Sequence, residues 1–174
     1  SIPALLTTNS RNDYSEKIQV LLDDNRAKLS ADRIYIKQFH EFDGSLYATI
    51  TYMSVSSGIT KGVDWNKSIL AVHIAETKFK VFPPNGEPTC VEIEYSSIND
   101  PVYKAALDSN GVKIYYACPI LDISNNPTGI IYASYISKYN PRPTKDQIFA
   151  SLQKTSEKVS GYLKEVESNW LING

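Results

Sequence analysis

Cysteine is scarce: Cys90 and Cys118 are the only two in 174 residues. That excludes a disulfide-dense secreted scaffold and a thiolate-built zinc site. A mixed metal cluster would need both cysteines and the two histidines, His40 and His73, to converge, so no metal is expected. Two reduced thiols in a cytoplasmic domain are the expectation, with a membrane tether outside the chain as the alternative. Glycine (8) and proline (9) are few, which excludes collagen-like and linker-like sequence. The glycines are also too scattered for a phosphate-cradling loop. No stretch approaches the roughly 20 apolar residues that a membrane span requires. Charge of one sign is missing too: 18 Lys and Arg stand against 19 Asp and Glu, a net charge of −1. With no basic field to hold phosphate backbones, nucleic acid is excluded as a main partner.

Hydrophobic residues make up 42% and charged residues 21%, the composition of a packed globular domain. Tyrosine is abundant, 12 against 5 Phe and 2 Trp, and suits half-buried strands and pocket walls. Without repeats or a linker, residues 1–174 read as a single domain.

Residues 13–29 carry Tyr14, Ile18, Leu21, Leu22 and Leu29 at helical spacing, with Asp13 and Glu16 placed as a capping box and a loose lead-in before them. Residues 33–40 and 46–53 read as two strands joined at Asp43-Gly44. Strict alternation in the second would put Leu46, Ala48, Ile50 and Tyr52 on one face and Tyr47, Thr49, Thr51 and Met53 on the other. Residues 68–75 lean towards a short helix, 91–95 alternate as a strand, and Pro101 opens one or two helical turns. Residues 112–121 and 129–137 form a second hairpin around a polar turn. Thr144 and Gln147 then cap a long helix whose stripe runs Ile148, Leu152, Thr155, Val159, Tyr162, Val166, Trp170. The order helix, hairpin, mixed middle, hairpin, helix predicts an α+β fold. Its centre is a five- to six-stranded antiparallel sheet with the terminal helices packed together on one face. The middle segments would cover the other face and leave a pocket beneath them.

The run Gly111-Val112-Lys113-Ile114-Tyr115-Tyr116-Ala117-Cys118-Pro119-Ile120, followed by Asn126-Pro127-Thr128-Gly129-Ile130-Ile131, resembles the last hairpin of GAF domains. There, a strand ending in a Pro-hydrophobic pair passes through a polar turn to a Gly-hydrophobic strand, and a capped helix follows. The resemblance implies a GAF-like sensory or regulatory module that binds a small ligand or relays a partner signal, without enzymatic activity. The Asn-Lys-Phe-Asp-Glu signature of cyclic-nucleotide-binding members is missing. Neither cysteine has the neighbouring histidine that a bilin site would want. No cofactor is therefore expected.

Candidate site residues follow from the polar faces of these strands. Tyr47, Thr49, Thr51, Tyr116, Tyr132 and Ser134 could converge on a small polar ligand, with Phe39 and His40 at a strand end and Cys118 nearby. Each has a plainer role in sheet packing or, for Cys118, as a small buried hydrophobe. A ligand-free interaction domain with a tyrosine-filled core is the competing function. An enzyme using His40 with Glu41 or Asp43, or the Cys118 thiol, is the third. The long last helix should overrun the sheet, which predicts a homodimer through the terminal helices with Trp170 near the contact.

Overall fold

A computed structural model describes the backbone of residues 2–137 and 141–173, and the side chains of residues 13–137 and 141–166. Four helices and six strands follow one another: α1 (Ile2–Leu29), β1 (Arg33–Phe42), β2 (Ser45–Val55), β3 (Ser68–Leu70), α2 (Ala75–Val81), β4 (Val91–Glu94), α3 (Pro101–Ser109), β5 (Ile114–Leu121), β6 (Pro127–Tyr135) and α4 (Lys145–Asn173). The strands form one antiparallel sheet in the order β3-β2-β1-β6-β5-β4. The two hairpins meet at its centre, where β1 pairs with β6.

Alternation divides the sheet into two apolar faces. Ile34, Ile36, Ile114, Tyr116, Ile120, Ile131 and Ala133 face α1 and α4, which contribute Ile18, Leu22, Ile148, Leu152 and Val159. Each such buried aliphatic side chain contributes about 1.5–3 kcal/mol of transfer free energy. Tyr35, Ala48, Ile50, Tyr115, Ala117, Ile130 and Tyr132 face the opposite layer, built from α2, α3 and the loops, through Val81, Tyr103 and Leu107. The expected fold is therefore present, both terminal helices on one face and the middle segments on the other.

Local chemistry explains the element ends. At the start of α4, Thr144 N–H donates to Gln147 Oε1 at 3.0 Å and Gln147 N–H to Thr144 Oγ1 at 3.3 Å, the reciprocal pair the sequence predicts. Asp100 caps α3 by accepting from Tyr103 N–H at 2.9 Å, with Pro101 in the first turn. Tyr135 Oη donates to the Leu29 carbonyl at 2.8 Å, tying the end of α1 to β6. Gly129 is required by close approach: a Cβ there would lie 2.4 Å from the Lys37 carbonyl oxygen of β1.

The structure corrects four expectations. The helix does not start at Asp13 but runs from Ile2, so Asp13 lies within it and pairs with Lys17 at 3.3 Å. Residues 68–75 are not one helix, because residues 68–70 complete the sheet edge beside β2 before a 3-10 turn, Ala71–Ile74. Strict alternation fails in β2: a bulge opposite Ile36 and Lys37 leaves Thr51 unpaired. Ala48 and Ile50 consequently face the α2/α3 layer, whereas Tyr52 faces α1, where its hydroxyl meets Ser15 Oγ at 3.1 Å. The cysteines are not reduced thiols, since Cys90 and Cys118 form a disulfide within the helix-side core. His73 is partly exposed, and its Nδ1 lies 3.2 Å from Asp100 Oδ2. No described helix is long and apolar enough to cross a membrane. The expected contact at Trp170 falls on a side chain outside the described residues.

Candidate functional site

Between the sheet and α3 lies a cavity of about 20 Å³, enough for about one water molecule. Its floor comes from alternation along β1. Arg33, Tyr35 and Lys37 point to this side, while Ile34 and Ile36 take the helix side. Across the strands, Arg33 pairs with Ser134 and Tyr35 with Tyr132 on β6, so these side chains stand in one row. Ile50 and Met53 from β2 close one flank, and Tyr103 and Leu107 from α3 close the other.

Residues 56–67 form the roof, contributing Lys61 and Asp64. Arg33 anchors this loop, its Nε donating to the Thr60 carbonyl and its Nη1 to the Asn110 carbonyl, both at 2.9 Å. Asn110 Oδ1 in turn accepts from Val63 N–H at 3.0 Å. The loop reaches Asn110 only because position 62 is glycine: its φ is +100° and a Cβ would meet Asn110 Oδ1 at 2.7 Å.

Lys37 is 3% exposed and sits in an aromatic surround, its Nζ 4.5 Å from the Tyr103 ring centre and 4.9 Å from that of Tyr132. Tyr132 stacks on Tyr35 at 4.8 Å. Such cation–π contacts offset part of the ammonium's lost hydration. Among the described residues, nothing accepts a hydrogen bond from Lys37 Nζ, and no carboxylate lies within ion-pair distance of it. Burial lowers its pKa to about 8, with the more distant Asp64 pulling the other way. Burial also lowers the Arg33 pKa, chiefly by desolvation. The hydroxyls of Tyr103, Tyr132 and Ser134 are likewise buried and unpartnered. Tyr103 lies near Tyr115, close enough to influence its ionisation, but forms no well-aligned bond to it. Burial holds the Tyr103 and Tyr132 hydroxyls far above their ordinary pKa, so both remain neutral donors.

Of the nine residues the sequence singles out, Ser134 lines this cavity and Tyr132 backs Lys37 beside it. Phe39 stays on the same sheet face but packs against Phe82, with ring centres 6.2 Å apart. His40 and Thr49 form a separate exposed cluster: His40 Nε2 lies 2.7 Å from Thr49 Oγ1 and 3.3 Å from Ser68 Oγ, while Thr49 and Ser68 are 2.6 Å apart. Tyr47 stacks on His40 at 5.9 Å. Thr51 is the bulge residue, its Oγ1 buried without a partner. Tyr116 and Cys118 face the helices, since they share a strand phase with Ile114 and Ile120. Tyr116 Oη accepts from Arg142 Nε at 3.1 Å and burial raises its pKa to about 12, while Cys118 is bonded to Cys90. The two-faced sheet therefore keeps Tyr47, Thr49, Thr51, Tyr116, Tyr132 and Ser134 from standing together in one place. Sequence reasoning missed Arg33, Lys37, Tyr103 and Asp64. The signal was the Arg-x-Tyr-x-Lys alternation of β1, which puts two cations on one face of a central strand.

No family profile matches the chain, and no curated protein does. Solved structures do match in fold. The phycoerythrobilin-bound GAF domain of a cyanobacterial phytochrome superposes with a TM-score of 0.63 at 13% identity, over 92% of this chain and 96% of that one. The blue-light-absorbing form of the Thermosynechococcus elongatus PixJ GAF domain gives 0.64 at 18% identity, over 93% and 90%. The phycocyanobilin-bound GAF domain of a cyanobacterial phytochrome gives 0.63 at 13% identity, over 92% and 94%. With its six-stranded antiparallel sheet between a two-helix layer and a loop-rich layer, the chain has the fold of a GAF domain.

Proposed function

We propose that this chain is a non-enzymatic sensory module that takes a small ligand between β1, β6, α3 and the 56–67 loop and relays occupancy through α1 and α4. One observation carries this reading. The cavity is lined by the Lys37 ammonium, which has aromatic rings but no hydrogen-bond acceptor around it among the described residues, and by the buried hydroxyls of Tyr103 and Ser134, which have no hydrogen-bond partner there. Buried polar groups without partners cost about 1–3 kcal/mol each, so a fold keeps them where something else meets them. The sheet connects the site to the output layer: Arg33, Tyr35 and Lys37 alternate on β1 with Ile34 and Ile36, which pack against the terminal helices.

Two of the similar solved structures are bound to bilins, one to phycoerythrobilin and one to phycocyanobilin. Here a cavity of about 20 Å³ is far below the roughly 300 Å³ and upward of drug-sized sites, and both sulfurs are bonded together on the opposite face. The geometry favours a ligand of a few heavy atoms. The buried disulfide supports an oxidising compartment rather than the cytoplasm. Association of two copies through the α1–α4 layer belongs to the same reading. Sedimentation at tens of micromolar tests it, and a monomer there overturns that part.

The main test is a thermal-shift screen of a broad metabolite panel on the wild type and on Ser134→Val. The expected result is at least one small compound that raises Tm in the wild type and loses its effect in the variant. A panel that shifts neither protein leaves the interaction-only reading in its place.

A further inference from the structure

The cavity's charge and donor pattern indicate what kind of molecule it takes, on the reading that it is a ligand site. Two buried cations, Arg33 at 4% and Lys37 at 3% exposure, stand on its floor. Lys61 adds a third, exposed, positive group at the roof, and Asp64 is the single carboxylate lining it. Asp32, next to Arg33 in the chain, accepts from Ile136 N–H at 2.7 Å. Arg33 spends Nε and Nη1 on backbone carbonyls and forms no ion pair among the described residues, with the neighbouring Asp32 offsetting its charge only through space.

A bound water would satisfy the hydrogen-bonding capacity of this wall but not its excess positive charge, and burying uncompensated charge is the larger cost. The unpartnered groups are an ammonium and hydroxyls, all able to donate, as an acceptor-only headgroup requires. Ile50, Met53, Leu107 and Val112 complete the lining and suit an apolar tail. A phosphate dianion would leave acceptors facing this apolar surface. A short-chain carboxylate matches both halves.

We propose that the cavity binds a short-chain carboxylate, with the headgroup held by Lys37 and the Ser134 and Tyr103 hydroxyls and the tail against Leu107 and Met53. Even acetate exceeds about 20 Å³, so entry requires the 56–67 loop to lift. That loop has no regular strand or helix and is held by the Arg33 and Asn110 bonds described above. A ligand of so few atoms binds with a Kd on the order of millimolar.

The groups facing Lys37 are Arg33 and Tyr35 on β1, Lys61 and Asp64 from the roof, Tyr103 from α3 and Tyr132 from β6. Burial keeps the tyrosines neutral across this range, so the pH dependence expected between pH 7 and 9 is that of Lys37. Its charged fraction drops about tenfold over that range. The affinity for a carboxylate should therefore fall about tenfold.

Titration with sodium acetate, propionate and butyrate tests this by thermal shift and calorimetry against equal sodium chloride. Acetamide serves as the neutral isostere and ethylammonium as the cationic control. The expected result is saturable binding of a carboxylate, none of the two controls, a tenfold weakening from pH 7 to 9, and loss of binding in Lys37→Met while that variant remains folded. Equal binding of acetamide, pH-independent affinity, or binding retained in Lys37→Met overturns the proposal. If carboxylates fail while a neutral compound from the broad panel binds and is lost in Ser134→Val, the charge assignment is wrong and the sensory reading stands. If nothing binds in either experiment, both fall.

Discussion

Replacing Lys37 with Met should stabilise the ligand-free protein. The folded-state pKa of Lys37 is about 8 against an ordinary 10.5. The gap of about 2.5 units at 1.36 kcal/mol each means the charged ammonium costs about 3 kcal/mol in the fold, to order of magnitude. Because the folded pKa is the lower one, the unfolded chain binds more protons between pH 8 and 10.5, and wild-type stability rises with pH there. Below pH 8 both states are protonated and the full penalty applies. Methionine keeps most of the stem and removes the charge; the small void it leaves costs about 1 kcal/mol. The net gain is about 2 kcal/mol at pH 7, or a Tm increase of about 4–8 °C for a chain of this size. Urea denaturation of both proteins from pH 6 to 10.5 measures it. The tyrosines, whose raised pKa values remove stability above pH 10, cancel in the difference between the two proteins. A variant less stable than wild type at pH 7, with a difference independent of pH, would refute the claim that the ammonium is buried with only part of its lost hydration offset.

Breaking the Cys90–Cys118 bond, which spans 28 residues, should lower stability by about 3.5 kcal/mol through loop-closure entropy. Denaturation of the Cys90→Ala, Cys118→Ala variant, or of the wild type under reductant, checks this. Gly129→Ala would push a Cβ into the Lys37 carbonyl and should cost about 3 kcal/mol or more, seen as a lowered urea midpoint. Thr144→Ala removes half of the α4 capping pair and should cost about 1 kcal/mol, with the helical circular-dichroism signal otherwise kept.

What was legible in the sequence was local. The Thr144–Gln147 cap, the Pro101 helix start and the hairpin at Gly129 each depend on neighbours a few residues away, and the structure keeps them. The apolar stripes of α1 and α4 called for a shared surface, and the sheet supplies it. The site was harder because its parts are distant in sequence. Lys37 on a strand reads as a solvent-facing residue until α3 and the 56–67 loop, which cover it, are in place. The bulge at Thr51 reverses the phase of β2, so an uninterrupted alternation sent Tyr52 and Met53 to the wrong faces. Tyr116 and Cys118 share the strand chemistry of Tyr132 and Ser134, but one residue of register decides which layer each side chain meets. The disulfide joins Cys118 on β5 to Cys90, the residue just before the neighbouring β4, a pairing that two lone cysteines do not announce.

A high-resolution crystal structure of the protein, grown without additives and then in the presence of the best compound from the ligand screens, tests the central claim most directly. The account predicts that the compound occupies the space between Lys37, Tyr103 and Ser134 and accepts hydrogen bonds from them, with the 56–67 loop raised to admit it. It would be contradicted by a structure in which Lys37 turns onto Asp64, the tyrosine and serine hydroxyls pair within the protein, and the compound lies elsewhere.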